Sequence, residues 1–175
     1  MPNKKAQVWV ETVIYTLIAF ILIGAVLAYA RPKIEEFQDK TIIEQTINAA
    51  ENINTIVNSI IQKGAGNKRI IEIGIKKGTL KIDGENDKLF FEIESRYFYS
   101  ETGQEVKIGN VIIETQEKGK LSLITISLDY SQKYDIVYED KNTVKLINKA
   151  ATPYRIAISN KGKTNGKTKI DFQII

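Results

Sequence analysis

From Thr12 to Ala30, nineteen consecutive residues carry no charge. Wound as a helix they span roughly 28 Å at ~1.5 Å per residue, close to the ~30 Å hydrocarbon core of a bilayer. The rest of the chain is too small to cover such a helix on every side. The run therefore predicts a membrane-spanning helix instead of a buried core helix. Gly24 and Ala25 agree with this, because small residues let membrane helices approach closely. One acid, Glu11, stands just before the run, behind Lys4 and Lys5. A carboxylate at the bilayer centre costs about 2.5–3.5 kcal/mol, and less toward either interface. Glu11 is therefore either an interfacial acid that reaches back to water, or the recipient of a cation from another subunit, which would favour assembly over dispersal in lipid.

Outside that run the chain reads as a soluble protein. Of its 175 residues, roughly 145 lie beyond the apolar block, enough to bury a modest core. The 25 basic and 21 acidic residues leave a net charge of +4. That imbalance is too small to argue for nucleic acid, and none is expected as a partner. There is no cysteine and no histidine. Disulfides, thiol catalysis, the usual zinc sites and histidine acid–base chemistry are thereby excluded. No catalytic constellation is visible, so the chain is not expected to be an enzyme, and no metal or other cofactor is called for.

Arg31-Pro32 closes the apolar run. Proline removes a helical hydrogen bond and disfavours helix at the residue before it, which predicts a kink or brief break there. Ile34, Phe37, Thr41, Ile43, Ile47, Ala50, Ile53, Val57 and Ile60 then recur at largely three- and four-residue steps. Glu35, Glu36, Asp39, Lys40, Glu44, Gln45, Asn48, Glu51 and Asn52 fill the positions between them. That is the stripe of an amphipathic helix, and Lys63-Gly64-Ala65-Gly66-Asn67 should end it. Together the two segments predict a rod roughly 80 Å long at ~1.5 Å per residue.

After Gly66 the apolar period changes to two. Ile71, Ile73 and Ile75 alternate with Glu72, Gly74 and Lys76, and short runs follow at 78–82, 89–94, 106–114, 121–130, 134–138, 144–147, 154–159 and 169–175. Short strands broken by turn residues predict an antiparallel sheet or sandwich. Asp83-Gly84 and Asn165-Gly166 mark two hairpins. The expected class is α+β: a long N-terminal helix, transmembrane and then amphipathic, packed on a C-terminal antiparallel β-sheet or β-sandwich domain.

Four other features compete for a role. Asp83, Glu85, Asp87 and Glu94 have some spacing of a calcium loop, but Lys88 stands where that loop needs glycine, so a hairpin turn is the stronger reading. Gly64-Ala65-Gly66 lacks the third glycine of a dinucleotide loop and follows a helix where a strand is required. Lys161, Lys163, Lys167 and Lys169 read as a solvated hairpin tip, or as a basic knob for anionic surfaces. Tyr97-Phe98-Tyr99 divides between core and a surface for neighbouring subunits or a glycan. No Asn-x-Ser/Thr sequence occurs, so N-linked glycosylation is not expected.

Lys4-Lys5-Ala6-Gln7, then Glu11 and the apolar helix, resembles the class III signal peptide of archaeal type IV pilins. That pattern has a short basic leader, a small residue, a cut just before glutamine, and a glutamate four residues further on. Ala6 stands where glycine is common, and Trp9 where many members carry serine. The resemblance covers about 25 residues, and the β-rich half matches the family only in outline. It implies a leader at 1–6, a transmembrane or filament-core helix at 7–31, an amphipathic helix at 32–63 and an extracellular β-rich domain at 67–175. It also implies processing at Lys4, Lys5, Ala6 and Gln7, and assembly through Gln7 and Glu11. The implied partners are prepilin peptidase, an assembly ATPase, a platform membrane protein, membrane lipid before assembly, and other copies of the chain in a helical filament. The preprotein would sit in the cytoplasmic membrane and the mature chain at the cell surface, for adhesion or surface attachment. The alternative is an uncleaved single-pass membrane protein that displays the β domain for binding.

Overall fold

In the computed structural model residues 4–164 and 166–175 are described, with side chains from Val8 onward. Helix α1 runs without interruption from Lys4 to Gln62, 59 residues, with Pro32 inside it. The expected break at Arg31-Pro32 is therefore absent. Proline deletes a single donor, so only the Ala28 carbonyl loses its helical bond, and the turns on either side hold. The chain divides into two compact units after Gln38, within the helix.

In the second unit α1 buries one stripe. Ile43, Ala50, Ile53, Val57 and Ile60 are fully buried and Ile47 nearly so. The expectation that burial starts at Ile34 is not met: Ile34 and Phe37 are exposed, and both precede Asp39, where the second unit begins. The helix stops where glycines take positive φ, at Gly64 and Gly66, a conformation other residues adopt at a cost. Asn67 then donates to the free carbonyls of Lys63 and Gly64, at 2.8 and 3.0 Å. This is how an ending helix satisfies its last acceptors.

Among the described residues ten strands follow: β1 (Lys68–Ile73), β2 (Thr79–Asp83), β3 (Lys88–Ser95), β4 (Glu105–Ile108), β5 (Val111–Lys118), β6 (Leu121–Asp129), β7 (Tyr134–Tyr138), β8 (Val144–Asn148), β9 (Tyr154–Thr164) and β10 (Lys167–Ile174). They form a four-stranded sheet, β1-β9-β10-β7, and a six-stranded sheet, β4-β5-β6-β3-β2-β8. The pairings are antiparallel except β7 with β10, which is parallel.

Strand alternation sets which residues face inward. In the larger sheet the register lines up Leu80, Phe91, Ile126 and Ile113 in one inward row, and Leu89, Leu128 and Val111 in the next. In the smaller sheet Ile158 opposes Phe172, and Phe172 opposes Tyr138. One core cluster takes these residues from both sheets together with the α1 stripe.

The single strand expected at 106–114 is a hairpin. β4 and β5 meet at Ile108 and Val111 across Gly109-Asn110, with Gly109 at φ 57°. Two residues reverse the chain there, too few to interrupt the alternation. The hairpin expected at Asn165-Gly166 joins β9 to β10, with Thr164 opposite Lys167; Asn165 itself lies outside the described residues.

Candidate membrane-spanning and assembly segment

The first unit consists of helix in its described residues, and its apolar side chains point outward. Large apolar residues from Val8 to Tyr29 are between 45% and 76% exposed. A helix that is apolar all round needs apolar surroundings. This one is long and apolar enough to cross a membrane. Its two threonine hydroxyls raise no obstacle. Thr12 Oγ1 donates to the Val8 carbonyl at 2.9 Å, and Thr16 Oγ1 to the Thr12 carbonyl at 2.8 Å. Both are satisfied within the helix itself, the condition for a polar group in lipid or in a dry helix bundle.

Lys4, Lys5, Ala6 and Gln7 fall in the first two turns of α1. Their side chains, and the leader positions Met1, Pro2 and Asn3, lie outside the described residues. Gln7 and Glu11 are four positions apart in a helix, so they occupy one face, one turn from each other. Glu11 itself is exposed.

The second unit resolves the other features read from the sequence. Asp83 carries the β2–β3 turn. Its Oδ1 accepts from the Asn86 amide at 3.0 Å, and its Oδ2 lies 3.0 Å from Lys81 Nζ. Burial alone would raise this carboxyl, but the hydrogen bonds from Asn86 and Lys81 hold it below the usual carboxylate value. Asp87 accepts from the Ile136 amide at 2.8 Å and pairs with Lys167 at 3.2 Å. Asp83 is therefore occupied with the turn and Asp87 with β7 and β10, and no group able to hold a metal is found among the described residues.

The basic cluster is partly neutralised. Lys161 lies 2.8 Å from Asp140 and 3.3 Å from the buried Asp171, and Lys167 also donates to the Ser131 carbonyl at 2.6 Å. A hydrogen bond from Lys161 is the main reason the Asp140 carboxyl sits below its usual value. Tyr97 and Tyr99 pack against the core, whereas Phe98 is exposed.

Sequence reading misses Asp39, which it places among the solvated positions of α1. Asp39 is buried, 4% exposed. One oxygen pairs with Lys77 Nζ, and the other accepts the Arg96 amide at 2.7 Å. Both partners are distant in sequence, so only a polar residue one step off an apolar stripe hinted at it. A surface depression of about 540 Å³ lies nearby, lined by Lys77, Thr79, Glu92, Glu94, Lys118 and Lys149. Its Lys77 and Lys118 are already paired, to Asp39 and Glu94.

No family model, no curated protein and no solved structure matches the chain.

Proposed function

We propose that the chain is the structural subunit of a type IV pilus-like surface filament used for adhesion or surface attachment. Prepilin peptidase cuts between Ala6 and Gln7, behind the Lys4-Lys5 leader. One observation carries this reading: an apolar helical surface from Val8 to Tyr29, exposed on all sides, lies directly after that leader and is headed by Glu11. Before assembly, lipid covers the surface. In the filament, sister helices replace lipid tails with equally apolar neighbours, so the exchange is close to neutral and specific contacts decide it.

Glu11 supplies one such contact. The α-amine freed at Gln7 is a cation at a matching depth, and a neighbouring subunit brings it to Glu11. An ion pair that forms only where copies of the chain meet biases the chain toward assembly. An assembly ATPase and a platform membrane protein complete the machinery. A single-pass anchor that keeps residues 1–6 would use the same helix but needs neither a cut site nor an acid at position 11.

Electron microscopy of filaments from cells making the chain tests the proposal. The expected map has a core of packed helices from residues 8–30, with β domains outside. The Glu11→Gln chain should insert into membrane normally and yield no filaments. Recovery of the native chain only as a dispersed membrane protein contradicts the filament reading. Normal filaments from Glu11→Gln remove the role given to Glu11.

A further inference from the structure

Between residues 39–62 of α1, the β4–β5 turn and the loop from β6 to β7 lies a cleft of about 320 Å³. That is within the size range of small-ligand sites. Four carboxamide residues line it, Asn54, Asn58, Asn110 and Gln132, with the half-buried Tyr134 and with Tyr130, which is buried in the core. The two rings are tilted by 43° with centroids 5.8 Å apart. Asn54 Oδ1 accepts long hydrogen bonds from the Tyr130 hydroxyl, 3.3 Å, and from Asn110 Nδ2, 3.4 Å. Asn58 is half-buried, yet the side chains of Asn58 and Gln132 make no hydrogen bond to any described residue.

The surrounding backbone is fixed. Tyr130 N donates to the Asp87 carbonyl at 2.9 Å, and the Lys133 and Tyr134 amides return to the Tyr130 carbonyl at 2.8 and 2.9 Å. The loop that carries Gln132 is thus a closed turn, and the amides are presented from rigid elements.

We infer that this cleft binds a saccharide. A carboxamide both donates and accepts, which matches sugar hydroxyls that do the same, and the half-buried Tyr134 ring offers an apolar face beside a polar tip. The charges nearby suit other ligands poorly. Asp129 is held by Lys88 at 2.9 Å and by the Ser131 hydroxyl at 2.6 Å, so it is not available to a metal ion. The two cations that line the cleft, Lys107 and Lys133, are both exposed, and Lys107 has Glu105 at 3.9 Å, too little for a phosphate site. The inference rests on the surface-filament reading for where cleft and glycan meet, and on the cleft alone for binding.

The test uses the detergent-solubilised full chain with three probes: mannotriose, cellotriose and trigalacturonate. Saturation-transfer NMR should show magnetisation passing to ring protons of at least one. The Asn58→Ala/Gln132→Ala chain removes amides that make no internal bond, so its fold should hold. Loss of their hydrogen bonds should weaken binding about tenfold. Asn148→Ala, in β8 and away from the cleft, should leave it unchanged. Absence of transfer to all three probes overturns the inference, as does equal transfer to the double variant with unchanged circular dichroism. Because binding is read on dispersed chains, its failure is separate from a failure to form filaments.

Discussion

The two parts of α1 obey opposite rules. From Val8 to Tyr29 the large apolar side chains face outward on every side. From Asp39 to Gln62 the apolar residues are gathered into one stripe, with Ile43, Ala50, Ile53, Val57 and Ile60 fully buried. Backbone geometry is the same in both parts, so the difference lies wholly in which residues fill the helical positions. A segment with one apolar stripe finds its core within its own chain. A segment apolar all round must take its surroundings from lipid or from other chains.

The largest effect should come from the inward-facing part. Ile53→Ala removes a fully buried side chain and should destabilise the β domain by about 3 kcal/mol, lowering Tm by roughly 10 °C. Thermal denaturation followed by circular dichroism in detergent would show it. Ile21→Ala, in the outward-facing part, should leave that transition in place. Equal losses from both would erase the contrast.

Next comes the point where the second unit begins. Asp39→Ala strips Lys77 of its ion pair and the Arg96 amide of its acceptor. The expected loss is about 2 kcal/mol in chemical denaturation. Lys77→Ala removes only the half-exposed partner and should cost less. An Asp39 variant as stable as the native chain would mean that the acid is not an anchor.

Acid should produce a smaller change, confined to the β domain. Desolvation opposes ionisation of Asp83 and Asp129, but hydrogen bonds from Asn86 and Lys81, and from Ser131 and Lys88, outweigh it and hold both carboxyls low. Asp140 is held low chiefly by its hydrogen bond from Lys161. A carboxyl depressed by folding adds stability above its unfolded pKa of about 4, and that stability is lost as pH falls through the folded value. Tm should therefore be flat from neutral pH down to about 5 and decline below about 4. A rise in Tm on acidification would reverse the sign argued for these groups.

The smallest effect should come from the helix just before Asp39. Phe37→Ser replaces a side chain that is 70% exposed and should change the Tm of the β domain within error. A marked fall would place Phe37 in the packing of the domain.

Much of this was legible in the residues themselves. The uncharged run, the stripe at three- and four-residue steps and the change to period two each reflect a local geometry. What escaped was long-range. Asp39 reads as a solvated acid because its partners, Lys77 and Arg96, lie far along the chain. Lys161 and Lys167 read as a basic knob because Asp140, Asp171 and Asp87 reach them only through strand pairing. The division into two sheets, and the parallel pairing of β7 with β10, have no local signature. The turn at Gly109-Asn110 had one, since Gly-Asn is a two-residue hairpin signal, but the alternation on both sides masks it. The cleft of carboxamides assembles from a helix, a turn and a loop, so no single stretch announces it.

We propose that residues 8–30 of α1 are apolar all round because the chain is processed and then packed among copies of itself. Intact mass with N-terminal sequencing of the chain recovered from cell-surface material tests this most directly. The account predicts a mature chain that begins at Gln7, and a chain that still carries Met1–Ala6 in that material would contradict it.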